Sequence, residues 1–337
     1  MEIPVIIEIA CNHEGNLKRF GDYIDICRDL KNASLKYQIF NPKSLCHKSY
    51  KFIDDLKKVA ISFKDWREII NYSFKNKINL WLEPFDKASL NFVSEFPHQK
   101  ISIKIPSCDV PHVNPEYLKN FKQVGLAIGG IEFSELKNIL PLYKKKIKNL
   151  ILFHGYQAFP TTISDRNFMK MQYISNFFEL PVFYADHTQI MDDKSIKSTL
   201  LESLQFGAKG IERHICLDYS DKFDIVSASN PQQIKEICKY FMDIEIKEKK
   251  FNSNIDHNEI IKMASSEKSY REAMLKKIIS TKDFKKGDKF LIENFEFKRA
   301  TSKNHLLSVE LLKLVKGQNL YLKNNFKKDQ ILNLDDI

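Results

Sequence analysis

The sequence predicts a (β/α)8 barrel followed by a small β-rich domain, and three observations carry that expectation. Short apolar stretches alternate with amphipathic helical patterns, eight times in roughly 245 residues. Polar residues gather at the late positions of those stretches or just beyond them: Glu8, Asn12, Lys36, Gln38, Glu83, Lys104, Ser107, Asp109, His154, Gln157, His187 and His214. In a parallel barrel these converge on the C-terminal mouth, where barrel enzymes place their chemistry. A structural protein has no reason to collect charge there, because buried unpaired charge is costly. Finally, the pattern changes near residue 247 to a polar run, then to short strands and turns.

Taken in order, residues 3–10 form an apolar strand interrupted by Glu8, followed by the turn Cys11-Asn-His-Glu-Gly15 and a helical pattern over 17–30. Residues 35–40 are the second strand, with Lys36 and Gln38 on one face because strand side chains alternate with period two. A loop rich in Lys, Ser and His precedes a helix near 64–75. The third strand, 78–82, runs into Glu83-Pro-Phe85, with a helix after Asp86. Strand 101–105 leads to Pro106-Ser-Cys-Asp109 and a helix near Pro115; strand 124–128 leads to Gly129-Gly130 and a helix from Glu132. Strand 150–154 precedes a loop over 155–162 and a helix within 165–178. Strand 182–184 leads to His187 and a helix after Asp193, and strand 210–214 leads to Asp224 and a last helix over 231–244.

Beyond the barrel, 255–274 reads as an exposed helical connector, and 276–280, 285–288, 295–299 and 314–317 as short strands and turns. Phe326-Lys-Lys-Asp-Gln-Ile-Leu repeats the pattern of Phe284-Lys-Lys-Gly-Asp-Lys-Phe. The expected organisation is a barrel over 1–248, a linker over 249–275 and a small domain over 276–337. That last domain is marginal alone, so it is expected to dock.

Composition narrows the class. The 337 residues are 43% hydrophobic, enough for a sizeable core, and no apolar run approaches the ~20 residues of a membrane span. The N-terminus carries acids and no basic leader. Six scattered cysteines without a C-x-x-C pair suit a reducing cytoplasm. The net charge of +10 is spread along helical faces and loops rather than gathered into a tract, so an anionic small substrate is expected and nucleic acid is not.

His187 and His214 end neighbouring strand candidates, one helix apart, and are an obvious pair for a divalent metal. The acids beside them, Asp186 and Glu212, are expected to orient the two imidazoles.

The segments EIACNHEGNLK, LKYQIF, IKIPSCD, ADHT, IERHI and DIVSASNP resemble, in order and spacing, the signature blocks of the sialic acid synthases, the bacterial NeuB-like enzymes that make nonulosonic acids. The tail around Glu296-Phe-Lys-Arg299 is similar to their C-terminal antifreeze-like (SAF) domain. The resemblance implies metal-dependent condensation of phosphoenolpyruvate with an N-acyl-mannosamine-type or related 6-deoxy diamino sugar, releasing phosphate. It implies Mn2+ or Mg2+ on His187 and His214, and Glu14 against the sugar. Lys36, Lys104 and Ser107 would hold the donor's carboxylate and phosphate. Gln38, Asp109, Gln157, Asp186 and Asp224 would complete the sugar and metal-water environment. Arg299 would reach over the partner's site in a domain-swapped homodimer.

The chain also departs from that family. Its strand-three Thr is Glu83, its Gly-Ser-Gly-Glu turn is Pro106-Ser-Cys-Asp109, and its Ser-Thr-Gly after strand five is Ala127-Ile128-Gly129. The Asn and Tyr of its strand-six loop are Gln157 and Phe159. Glu83 matters most, since a carboxylate about 4 Å from a phosphate oxygen costs roughly 4 kcal/mol at an effective dielectric near 20. Besides an active synthase, two readings stay open: an enzyme with altered donor or acceptor, and a non-catalytic sugar-binding relative.

Overall fold

The structure, a computed structural model, describes residues 2–156, 161–189, 193–250, 257–302 and 319–337. Eight parallel strands close a barrel: β1 (Val5–Glu8), β2 (Ala33–Ile39), β3 (Leu80–Pro84), β4 (Ile101–Ile105), β5 (Gln123–Ala127), β6 (Leu150–His154), β7 (Val182–Asp186) and β8 (Ile211–Ile215). Each pairs with the next, and β8 returns to β1 with His214 opposite Glu8. A two-residue strand, β9 (Ala228–Ser229), extends β8 at the mouth.

Period-two alternation sorts the strand side chains. Ile6, Trp81, Ala127, Ile151, Phe153 and Phe183 point inward and fill the barrel, while Val5, Leu35, Leu80, Ile103 and Leu152 join the larger core under the helices. Those helices are α1 (Arg19–Arg28), the short α2 (Pro42–Leu45) and α3 (Ile53–Val59), α4 (Phe63–Lys75), α5 (Lys87–Val93), α6 (Phe133–Lys146), α7 (Phe168–Phe178), α8 (Asp193–Gln205) and α9 (Pro231–Tyr240). In α4, Trp66, Ile69, Ile70 and Ser73 fall on one face and are buried, and Ser62 caps the helix by accepting from the Asp65 N–H at 3.1 Å. Trp66 packs against Phe20 and Tyr37, with ring centroids 5.2 and 5.6 Å away. Truncating it to alanine would cost about 3–5 kcal/mol.

The helix expected near Pro115 is a single 3-10 turn, Pro115–Tyr117. Pro106, Pro111 and Pro115 each lack an N–H and disfavour helical backbone in the preceding residue. Tyr143 of α6 ties this segment down instead, donating to the Val110 and Val113 carbonyls at 2.9 and 2.7 Å. The last barrel helix stops at Tyr240, short of the expected 244.

The connector is two helices, α10 (His257–Ile261) and α11 (Ser265–Met274), and α11 is not the exposed element its polarity suggests. Glu267 is buried and accepts from the Gly130 N–H at 3.0 Å. Arg271 donates to the Gly130 carbonyl at 3.0 Å and to both oxygens of Glu135 at 2.6 and 2.9 Å. The docking face is charged rather than apolar, so hydropathy alone does not reveal it.

The C-terminal unit pairs β10 (Lys277–Ser280) with β11 (Phe295–Lys298) in antiparallel fashion. Its core is Ile278, Phe284, Phe290, Phe295, Leu322, Phe326 and Leu332. The two repeated Phe-Lys-Lys segments meet: Phe284 and Phe326 exchange backbone hydrogen bonds at 2.8 and 2.9 Å. The strand expected over 314–317 lies outside the described residues. The resemblance implies that this unit sits on a partner's mouth; within the single chain it contacts the segments that follow its own β2, β3 and β4. Arg299 exchanges backbone hydrogen bonds with Leu45 and His47 at 2.8 and 2.9 Å, His112 stacks on Phe297 at 4.9 Å, and Lys276 reaches Asp109 and, at 2.7 Å, the Phe85 carbonyl.

Candidate active site

Inward positions near the C-terminal ends of β1, β2, β3, β4 and β8 bring buried Glu8, Lys36, Glu83, Lys104, Glu212 and His214 into one cluster, with half-buried Gln38 beside them. Lys36 is at its centre, with one oxygen each of Glu8, Glu83 and Glu212 at 2.8 Å from Nζ. Lys104 lies 2.5 Å from Glu212 and 3.7 Å from Glu83, its ammonium over the Phe153 ring. Gln38 donates to Glu8 at 2.5 Å. Glu83 therefore sits at the end of β3 and points at both lysines, as its strand position predicts.

Three carboxylates here face two ammonium groups, and the titration of the cluster reflects it. Burial disfavours the Lys36 ammonium, yet Glu212, Glu8 and Glu83 together raise its pKa well above the ordinary value. Glu8 is held well below the carboxylate range: burial opposes this but is outweighed by Lys36 and His214. Glu212 moves up, first through burial and then against Glu8 and Glu83, because Lys104 and Lys36 do not fully compensate it.

His214 and His187 stand beside the cluster with ring centroids 5.4 Å apart and planes nearly perpendicular. His214 Nε2 lies 3.2 Å from Glu8, which raises its pKa against the effect of burial. Its Nδ1 is buried without a hydrogen-bond partner. His187 donates from Nδ1 to the Tyr156 carbonyl at 3.0 Å, and burial together with His214 lowers its pKa to about 3. Gly155 makes this close approach possible: a Cβ there would lie 2.7 Å from the Ala185 carbonyl and 3.3 Å from the His187 ring. A divalent cation fits the pair, because both rings are fixed by a second contact and His214 keeps a buried nitrogen unengaged. Among the described residues no third His, Cys, Asp or Glu completes a cage, so remaining positions would be open to exogenous ligands.

The acids next to the histidines do not orient them as the sequence suggested. Asp186 faces out of the barrel, where it pairs with Arg213 at 2.5 Å and accepts from the Thr188 N–H and hydroxyl at 3.1 and 2.8 Å. Glu212 points the other way, into the lysines. Glu8 and the Tyr156 carbonyl hold the imidazoles instead, and neither stands beside its histidine in the sequence. Glu8 is signalled only by its lateral register to His214.

Other expected residues lie at the rim. Glu14 accepts from the Lys222 N–H at 2.7 Å and pairs with Arg19 at 3.2 Å. Asp224 accepts from the Cys11 N–H at 3.1 Å and contributes to raising His214. Both have left-handed backbone, with φ of 51° and 49°, a strain of order 1–3 kcal/mol that tends to mark functional turns. Arg299 stands over Phe85, 5.3 Å from the ring centroid. Ser107 and Asp109 do not join the cluster: Ser107 has Cys108 Sγ at 4.0 Å, and buried Asp109 is engaged by Lys276. Gln157 lies outside the described residues.

Known proteins are similar to this chain over most of their length. The NeuB family profile matches residues 23–252. The chain is 26% identical over 350 aligned positions to the N,N'-diacetyllegionaminic acid synthase of Campylobacter jejuni, covering 97% of this chain and 98% of the relative. It is 24% identical to a Campylobacter jejuni pseudaminic acid synthase, covering 87% and 86%. Among solved structures, a Bacillus subtilis spore coat polysaccharide biosynthesis protein superposes with a TM-score of 0.76 at 16% identity, covering 100% of this chain and 95% of that one. The Leptospira borgpetersenii N-acetylneuraminic acid synthetase gives a TM-score of 0.64 at 24% identity, covering 72% and 83%. With a family profile matched over most of the chain, on a barrel that carries these strand-end residues, the protein belongs to the NeuB family.

Proposed function

We propose that this chain condenses an enolpyruvate donor with an acylated amino-sugar aldehyde to give a nonulosonic acid. The observation that carries the reading is the pairing of His187 and His214 beside two buried lysines at one barrel mouth. The donor's enol carbon bonds to the aldehyde carbon, a water oxygen bonds to the carbon bearing phosphate, and the bond from that carbon to the phosphate oxygen breaks as the keto group forms; of the two water protons, one goes to the former aldehyde oxygen and one leaves with phosphate. Held by His187 and His214, Mn2+ or Mg2+ would supply Lewis-acid polarisation of the aldehyde oxygen. Lys36 and Lys104 provide the positive charge for the donor's anionic groups, and Glu8 fixes the His214 ring through Nε2. Glu14, Asp224 and Arg299 would meet the sugar.

Glu83 favours a second reading, in which the donor differs from phosphoenolpyruvate. Its carboxylate already stands 2.8 Å from Lys36, where a donor anion would otherwise bind. Incubating the full chain with Mn2+, phosphoenolpyruvate and a panel of acylated hexosamines, and following phosphate release, tests the first reading. Release that depends on the sugar and yields a keto acid is expected; none with any sugar would favour the altered donor. A cytoplasmic, homodimeric enzyme is part of the proposal; on exchange of the C-terminal unit, the contacts that Arg299 makes with Leu45 and His47 within one chain would be made on the partner instead. Sedimentation as a monomer at micromolar concentration would rule out the exchange. No described helix is long and apolar enough to cross a membrane.

A further inference from the structure

The turn between β1 and α1 carries Glu14, the loop between β8 and β9 carries Asp224, and each loop's backbone donates to the other's acid. The Cys11 N–H donates to Asp224 Oδ2 at 3.1 Å, and the Lys222 N–H donates to Glu14 Oε1 at 2.7 Å. These partners stand 213 and 208 positions apart in the chain. Arg19, the first residue of α1, spans the same gap. Its Nη1 lies 3.2 Å from Glu14 Oε2, and its Nη2 donates to Oδ1 of buried Asp221. The second Asp221 oxygen accepts from the Leu217 N–H at 3.2 Å, so this carboxylate also shapes the start of its own loop. Below them Asn12 donates to the Ile215 carbonyl at 2.7 Å.

The residue type at the centre suits this task. A guanidinium presents its donors in a rigid planar fork, so it can hold two carboxylates at once in set directions, whereas an ammonium is a point charge on a flexible stem. Without Arg19, the two carboxylates that share its guanidinium would be left near one another uncompensated. Glu14 has both oxygens engaged, yet a carboxylate accepts at about four lone-pair sites, which leaves capacity for hydroxyls. The left-handed backbone at Glu14 and Asp224 is costly in a free loop and persists where surrounding contacts over-determine it. The contacts across the two loops supply that constraint.

We propose that Arg19 and Asp221 are positioning residues for the sugar acceptor, an inference that rests on the condensation above, in which Glu14 and Asp224 meet the sugar. They act through those two acids, by clasping the rim loops together, rather than on the reacting atoms. Hydrogen–deuterium exchange of the full chain without substrates reads the clasp by itself. In Arg19→Ala, peptides covering 11–16 and 217–224 should both exchange faster, by about tenfold or more, with the barrel strands unchanged. Steady-state kinetics with Mn2+, phosphoenolpyruvate and the acylated hexosamine giving the fastest phosphate release reads the consequence. Arg19→Ala and Asp221→Asn should each raise the KM for the sugar by about tenfold or more and leave the KM for the donor nearly native. Arg19→Lys should recover only part of the loss. A residue that merely supports folding would lower kcat through a smaller active fraction and leave the sugar KM native. Native exchange in both loops of Arg19→Ala, a native sugar KM, or full recovery by Arg19→Lys would overturn the clasp while turnover by the native protein stands. No turnover of any acylated hexosamine by the native protein, with the two loops still loosening together, would overturn the condensation itself and the sugar role with it.

Discussion

The histidine and lysine halves of the mouth are built from neighbouring strand ends, yet they are left in opposite states. His214 keeps a buried Nδ1 without a partner, and His187 is held neutral and aimed through its contact with Tyr156. Lys36, by contrast, is surrounded by three carboxylate oxygens at 2.8 Å. One half awaits something from outside; the other is already neutralised from within. Burial drives both outcomes. An imidazole tolerates burial when neutral, whereas a buried ammonium requires anions within a few ångströms.

The largest expected effect breaks the histidine half. His187→Ala should lower turnover by about three orders of magnitude or more, the scale of losing several kcal/mol of transition-state stabilisation. Circular dichroism and the unfolding midpoint should change little, because the barrel closes through β1 and β8. Turnover close to native would remove His187 from the chemistry.

Next comes the lysine half. Glu83→Thr leaves two carboxylates for two ammonium groups and should tighten phosphoenolpyruvate binding by roughly one to three orders of magnitude. Mn2+ affinity should stay nearly unchanged, since Glu83 makes no contact with either histidine. Calorimetry on both proteins decides it; equal, tight donor binding would mean the anion never approaches Glu83.

A smaller effect separates the mouth histidines from one that is merely buried. Burial, then Lys170, lowers His154 to about 4, the Arg166 carbonyl opposing this only in part. Its folded value lies below the unfolded value near 6.5, so the unfolded chain takes up the proton first. Its contribution is fully present above about pH 6.5 and is lost as pH falls toward 4. At pH 5 the loss is about 2 kcal/mol. Urea unfolding at pH 7 and pH 5 should show a gap smaller by that amount in His154→Gln. An unchanged gap would show that His154 does not titrate as burial demands.

The smallest effect concerns the connector. Arg271→Ala removes charge-assisted hydrogen bonds to Glu135 and the Gly130 carbonyl. It should destabilise the docked α11 by about 1.5–3 kcal/mol, read as faster proteolysis near Ser265–Met274 with the barrel intact. Unaltered cleavage would mean that Glu267 alone seats the helix.

The sequence by itself determined the barrel and the strand ends that carry charge, because period-two alternation and strand–helix spacing are local properties. It also put His187, His214, Lys36, Lys104 and Glu83 at one mouth. The proline-rich β4–β5 link was legible in principle, since three prolines stand where a helix was expected. What only the tertiary structure decided is which charge meets which. Asp186 and Glu212 look equivalent beside their histidines, but Asp186 faces out to Arg213 and Glu212 faces in to the lysines. The partner of His214 is Glu8, from the opposite end of the barrel's sequence, brought alongside when β8 closes on β1. The seat of α11 on Gly130 and of Lys276 on Asp109 likewise depends on distant chain segments meeting. Local sequence fixes the face a side chain takes, and only closure fixes its neighbour, because a buried charge is satisfied by whatever the fold carries to within 3 Å of it.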